Sequence, residues 1–241
     1  MSNRPFISAK NLGEAALPTF CPRCFWVKLR LENRLPFQIF PGIFSSIDSY
    51  TKRMIHGWFD QNGSPPPWLS DLGVLRGYRQ PPHYTKFSFF EPESGFTLRG
   101  IPDAIFVRED ESHLIADYKT SRYTNYQDQL LPMYEVQLNA YAYLGERCGF
   151  APVTGLALIY TEPVTEEHAA LDLKNYREDG FAMGFSAHIV PIEIDENMVP
   201  TLLTRVRVIY DLTEPPAGLA GCKDCTYTAK LVDLLKEVYG P

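Results

Sequence analysis

The sequence predicts an α/β sandwich, a mixed central sheet flanked by helices, on three observations. Apolar residues recur at helical spacing over residues 44–59, alternate with period two over 83–119, and return to helical spacing over 128–148 before alternating again. The resulting order is α-β-β-β-α-β. Composition is that of an ordinary globular chain, 45% apolar and 22% charged, which excludes disordered, collagenous and coiled-coil classes. A length of 241 residues suits one domain with a full hydrophobic core.

Each element has its own signal. Phe44, Ile47, Thr51, Met54 and Trp58 form a largely apolar helical stripe, closed by Asn62-Gly63. Prolines clustered in 63–68, 80–83 and 214–217 mark loops, because proline removes a backbone donor and fixes φ. Residues 83–91, 96–107 and 113–119 read as three strands of an antiparallel meander, with a turn at 92–95. In the helix over 128–148 one stripe carries Leu130, Met133, Tyr134, Gln137, Tyr141, Leu144 and Cys148, so a glutamine lies among apolar residues. Residues 153–161 and 183–195 read as further strands. A closing helix over 196–212 turns Met198, Leu202, Val206 and Ile209 inward.

Net charge is −6, which argues against a generally basic nucleic-acid coat protein. The charge is uneven: residues 1–60 hold eight Lys/Arg against four Asp/Glu, so a polyanion would meet the N-terminal part. No run of about 18 apolar residues occurs and the first residues lack an apolar leader core, so the expectation is a cytoplasmic chain with no membrane contact.

The chemistry concentrates in Arg99-Gly-Ile-Pro-Asp-Ala-Ile-Phe106 and Leu114-Ile-Ala-Asp-Tyr-Lys-Thr120. Each places a carboxylate in an otherwise apolar strand, and alternation puts Ile115, Asp117 and Lys119 on one face. A buried unpaired carboxylate is costly, and a hard cation held between Asp103 and Asp117 offsets that cost. Magnesium or manganese there suits phosphodiester hydrolysis, with Lys119 orienting the attacking water or stabilising the developing anion. The plainer alternative is an Asp117–Lys119 ion pair on an edge strand, worth under about 1 kcal/mol. Gln137 and Tyr141, four apart on one helical face, need polar partners and favour a site.

In that order, Gly100-x-x-Asp103, Asp117-x-Lys119 and Gln137-x-x-x-Tyr141 resemble the PD-(D/E)XK nuclease superfamily. Asp-Tyr-Lys-Thr followed by Gln-x-x-x-Tyr is similar to its RecB-type branch, which includes the AddB nuclease domains and the CRISPR-associated adaptation exonucleases. The resemblance covers roughly residues 40–230. It implies a restriction-endonuclease-like αβββαβ core and a metal-dependent deoxyribonuclease in which Asp103, Asp117 and the backbone carbonyl of Tyr118 bind Mg²⁺ or Mn²⁺. It also implies that Lys119 is the catalytic lysine, that Gln137 and Tyr141 position the DNA strand or the catalytic groups, and that a helix histidine, here His56, completes the metal shell. A helical wheel sets His56 beside the apolar stripe, and Asp48 lies nearer to it.

Four of the five cysteines form two pairs, Cys21-Pro-Arg-Cys24 and Cys222-Lys-Asp-Cys225. Four thiolates from two paired turns can close a tetrahedral zinc site or hold an iron–sulfur cluster. By the same resemblance a [4Fe–4S] cluster is implied, although the family pattern has one upstream and three downstream cysteines and Leu231 stands where the last would fall. A staple across so long a loop would remove roughly 5 kcal/mol of unfolded-chain entropy in the disulfide model. Cys148 reads as a core residue.

The expected organisation is one domain, with residues 1–40 and 213–241 as a cysteine-bearing subdomain around a catalytic core of about 41–212. Arg23, Lys28, Arg30 and Arg34, with Phe25 and Trp26, suit phosphate contact and base stacking, or form the solvated face of an ordinary amphipathic helix. The prolyl loop with Trp68 is a further candidate to line a strand channel. The functional expectation is an exonuclease on single-stranded or free-ended DNA, in repair, recombination or CRISPR adaptation, with a helicase or CRISPR integrase complex as possible partner. The alternatives are a non-catalytic nuclease-like module that binds DNA or docks in a helicase complex, and a zinc-stapled RNA-binding protein.

Overall fold

The computed structural model describes residues 5–34, 41–123 and 129–240. In chain order the elements are β1 (Phe6–Ser8), α1 (Ala9–Glu14), α2 (Pro22–Arg30), α3 (Gly42–Asn62), a 3₁₀ segment (Pro67–Leu72), β2 (Leu75–Arg79), β3 (Ser88–Phe90), β4 (Thr97–Arg99), β5 (Ala104–Arg108) and β6 (His113–Lys119). There follow α4 (Leu131–Arg147), β7 (Val153–Pro163), α5 (Glu167–Ala170), a 3₁₀ turn (Leu173–Asn175), β8 (Tyr176–Arg177), β9 (Gly180–Phe181), β10 (Phe185–Ile192), α6 (Met198–Asp211) and α7 (Lys223–Tyr239).

The main sheet has the order β10-β7-β6-β5-β2. Only β6 and β7 are parallel within it, and the other neighbours are antiparallel, so the sheet is mixed. Parallel neighbours need a long crossover, which α4 supplies. The expected sandwich and its αβββαβ core are therefore present, read as α3, β2, β5, β6, α4 and β7.

Period-two alternation sends β6 side chains to two separate cores. Ile115 packs with Ile105, Leu156 and Leu158 against α4 and α6, while Leu114, Ala116 and Tyr118 pack with Phe106 against Ile55 and Phe59 of α3. A strand covered on both faces reads as a nearly continuous apolar run, and Asp117 breaks that run.

Several expectations need correction. The α3 stripe expected from spacing shares Thr51 with the buried face but is otherwise turned away from it. Phe44, Met54 and Trp58 are exposed, and the buried face is Thr51, Ile55 and Phe59. This helix is apolar on more than one side, so spacing alone does not say which side meets the sheet. The strands expected over 83–91 and 96–107 are also different: the first shortens to β3 and the second divides at residues 100–103. Its first half, β4, joins β1 and β3 in a separate three-stranded sheet, and its second half, β5, joins the main sheet. The meander of the core is therefore β2, β5 and β6, and β2, lying among loop signals, was not anticipated.

Later boundaries move less. The helix expected over 128–148 runs Leu131–Arg147, with Asp128 outside the described residues, and the strand over 183–195 contracts to Phe185–Ile192. In α6 the buried residues are Val199, Leu203, Val206 and Ile209, with Met198 and Leu202 at the margin of the core. Cys148 is partly buried against the core beside α4, as expected.

Candidate catalytic carboxylate site

The register Ala104↔Ala116 between β5 and β6 sets Asp103, one residue before β5, across from Asp117. Asp103 is anchored there because its Oδ2 accepts from the Tyr118 backbone N–H at 2.8 Å. The two carboxylates come from chain segments 14 positions apart, yet pairing of the strands makes them neighbours. The break at residues 100–103 carries the chain from one sheet to the other and puts Asp103 at the mouth of the main sheet.

From the other side, α4 lays Gln137 against Asp117 and Lys119. Gln137 Nε2 donates to Asp117 Oδ1 at 3.3 Å and to the Tyr141 hydroxyl at 2.8 Å, while Gln137 Oε1 accepts from Lys119 Nζ at 3.3 Å. Lys119 Nζ also forms an ion pair with Asp117 Oδ2 and lies 4.0 Å from the centre of the Tyr134 ring. One glutamine amide thus links carboxylate, ammonium and phenol, satisfying a polar set that would otherwise be costly to bury. The polar pair seen on an apolar helical face has its partners.

Burial and the adjacent Asp103 carboxylate push the Asp117 pKa up to about 7, against the opposing pull of Lys119. Burial, with Asp117 nearby, likewise raises Tyr141 well above the ordinary phenol value, so its hydroxyl keeps its proton. Two facing carboxylates, one buried and one largely so, repel one another, and a hard cation relieves that repulsion. Carboxylate oxygens are donors of the kind a divalent cation takes. Nearby, the Tyr118 hydroxyl is buried with no hydrogen-bond partner among the described residues.

One part of the site escaped the sequence reading. Lys52 of α3 bridges two carboxylates, donating to Asp48 Oδ2 at 2.9 Å and Asp103 Oδ1 at 2.8 Å. Burial opposes the Lys52 charge, but Asp103 and Asp48 outweigh it and hold its pKa above the ordinary lysine value. Burial and Asp103 raise Asp48 in turn. The available signal was Asp48 and Lys52 at i and i+4 on one helix, the spacing of an ion pair.

The structure places His56 apart from this network. Its ring stacks on Tyr78, the two planes nearly parallel with centroids 3.9 Å apart, and its Nδ1 lies 3.5 Å from Gln80 Nε2. Burial, with Lys52 nearby, depresses its pKa despite Asp60, which favours the neutral ring.

Arg23, Lys28 and Arg30 of α2 all have partners within the chain. Arg23 Nε donates to the Pro216 carbonyl at 2.9 Å, Lys28 pairs with Glu14, and Arg30 donates to the Tyr210 and Leu212 carbonyls at 3.0 and 2.6 Å. Trp26 Nε1 donates to the Leu212 carbonyl at 3.0 Å. Phe25 is buried in the core, so its ring is not presented for base stacking. Arg34 is exposed and 3.9 Å from Glu32, and Trp68 is partly exposed on the prolyl loop.

Cys21, Cys24, Cys222 and Cys225 converge with all four sulfurs within 4.8 Å of one another, and among the described residues this is the one group of three or more His, Cys, Asp or Glu so arranged. The N- and C-terminal segments therefore meet at a four-cysteine group that can bind a metal ion. Burial works to raise the Cys21 thiol, but the Cys24 and Leu219 amides and the neighbouring thiols outweigh it and leave its pKa at about 6.

Among known proteins, the family model of the PD-(D/E)XK nuclease superfamily matches residues 57–229. No curated protein matches. A solved structure described as the crystal structure of SSO0001 is similar over 95% of this chain and 86% of that one, at 11% identity and a TM-score of 0.42. Among the described residues no helix is long and apolar enough to cross a membrane.

Proposed function

The chain belongs to the PD-(D/E)XK nuclease superfamily, and from that premise we propose that it is a metal-dependent deoxyribonuclease of the RecB-like kind, acting as an exonuclease on single-stranded or free-ended DNA. The observation that carries this reading is the Gln137-centred network, which brings Asp117, Lys119 and Tyr141 together beside Asp103. A binding module has no need of an ammonium group held against a buried carboxylate at the end of a strand.

In this reading Asp103, Asp117 and the Tyr118 carbonyl hold Mg²⁺ or Mn²⁺, with His56 as a further candidate ligand. The ion supplies charge neutralisation at the phosphate and a hydroxide nucleophile near neutral pH. Lys119, fixed by Asp117, Gln137 and the Tyr134 ring, stands where it orients the attacking water and offsets negative charge developing on the phosphate. Gln137 holds Lys119 and Asp117 in one geometry, and Tyr141 holds Gln137. At neutral pH Tyr141 acts as a neutral hydroxyl that accepts from the Gln137 amide and donates to substrate or water.

For the DNA itself, Arg23 and Arg30 remain exposed while donating to carbonyls, so their charge extends an electropositive surface toward a phosphate backbone. Lys28, neutralised by Glu14, contributes less. The biological setting, repair, recombination or CRISPR adaptation, follows from the partner, and a helicase or an integrase complex is the class proposed.

The test is degradation of end-labelled single-stranded DNA with added Mn²⁺ or Mg²⁺, comparing wild type with Lys119→Ala prepared identically. Shortening from an end that falls by about 10²-fold or more in a folded variant supports the proposal. Equal activity in both preparations excludes this site as the source, and inactivity of both with every DNA form moves the reading to a non-catalytic DNA-binding module.

A further inference from the structure

The two cysteine pairs occupy equivalent places on two helices. Cys21 and Cys222 are the residues preceding α2 and α7, and Cys24 and Cys225 are the third residues inside them. The backbone repeats as well: the Cys21 carbonyl accepts from Phe25 N–H at 3.0 Å, and the Cys222 carbonyl from Thr226 N–H at 3.3 Å. Two helical ends, each offering two thiols, face one another across residues 21–24 and 222–225.

The spacing of the sulfurs decides what they can hold. Cys21–Cys225 and Cys24–Cys225 are 3.4 Å apart and Cys24–Cys222 is 3.7 Å. A single tetrahedral ion with metal–sulfur bonds of about 2.3 Å sets its ligand sulfurs about 3.8 Å apart. A [4Fe–4S] cluster puts each thiolate on a different iron, which spreads the sulfurs to about 6 Å. All four here lie within 4.8 Å of one another, so the thiols fit one ion and do not fit the cubane that the family resemblance implies. The surroundings hold them in: a Cβ at Gly218 would stand 2.9 Å from Cys225 Sγ, so the Gly218 backbone closes on the group. The Leu219 N–H adds a hydrogen bond to Cys21 Sγ at 3.2 Å.

We propose that Cys21, Cys24, Cys222 and Cys225 bind one zinc ion, a closed four-thiolate structural centre that ties α2 to α7. The full set of protein ligands leaves no open position for substrate, which separates this centre from the carboxylate site. The inference stands on sulfur geometry alone and is independent of the proposed nuclease activity.

The test uses the full chain, produced in medium supplying both iron and zinc, purified without oxygen and dialysed against EDTA. Elemental analysis, acid-labile sulfide and the visible spectrum are read on wild type, Cys24→Ser and Asp117→Ala. The expected result is one zinc per chain in wild type and in Asp117→Ala, with no sulfide and no band, and loss of that zinc in Cys24→Ser. About four iron and four sulfide per chain with absorption at roughly 400 nm would overturn the proposal. So would a stoichiometric single iron, no bound metal in wild type, or zinc retained in Cys24→Ser and lost in Asp117→Ala.

Discussion

Gly100 lies under the ring of Tyr141: a Cβ there would come within 2.5 Å of Tyr141 Cε1 and 3.4 Å of the Ala9 Cβ. The glycine of the first motif is thus required by the tyrosine of the third. Gly100→Ala is expected to displace the ring, break the bond from Gln137 to its hydroxyl and cost about 1–3 kcal/mol through overpacking. Thermal unfolding and nuclease rate should fall together. A variant with unchanged stability and rate would show that the ring yields freely.

Tyr141→Phe isolates the hydroxyl. Gln137 keeps Asp117 and Lys119 but loses its third partner, so stability should fall by about 1 kcal/mol. If Tyr141 acts by orienting Gln137 and contacting substrate, kcat falls more than KM rises. Single-turnover rates on labelled DNA distinguish this outcome from a purely structural loss, in which the rate per folded molecule stays that of wild type.

Asp117 makes stability depend on pH in the metal-free protein. Its pKa is about 7 in the folded chain, above the ordinary aspartate value. The folded state therefore binds this proton more tightly, and the stabilisation present below about pH 4 is lost as pH rises through 7, up to about 4 kcal/mol. In EDTA, urea unfolding of wild type should show a decline across this window that Asp117→Asn lacks. Parallel curves for the two proteins would contradict the assignment.

Lys52 is shared between Asp48 and Asp103 and offsets one of their two negative charges, a task a divalent cation would otherwise perform. Lys52→Met should lower metal-free stability by about 1 kcal/mol, since the ion pairs are partly solvated. It should also tighten Mn²⁺ binding, because the carboxylates lose a competing cation. Titration calorimetry and unfolding with and without Mn²⁺ test both effects, and weaker Mn²⁺ binding in the variant would oppose this role.

The strand carrying Asp117 and Lys119 and the helix carrying Gln137 and Tyr141 were legible because each is long, regular and covered by one dominant spacing. Asp103 was found by residue type but set in the wrong context, since a chain crossing between two sheets at residues 100–103 looks like one continuous strand. The facing of α3 was not legible: Phe44, Met54 and Trp58 are as apolar as Ile55 and Phe59, and which side is buried depends on where β2 and the 3₁₀ segment pack. Lys52 was missed for the same reason, because its value comes from Asp103, 51 positions away. The cysteine spacing gave a shared site, while the distances among the sulfurs exist only once α2 and α7 meet.

The hold of α2 on the segment after α6 is made to backbone carbonyls. Trp26, Arg30 and Arg23 donate to the carbonyls of Leu212 and Pro216, atoms that every residue type possesses. The recognition is blind to the side chains of the strap it grips. Substitution at the exposed residues 213–215 is therefore expected to disturb the architecture less than substitution of the three donors.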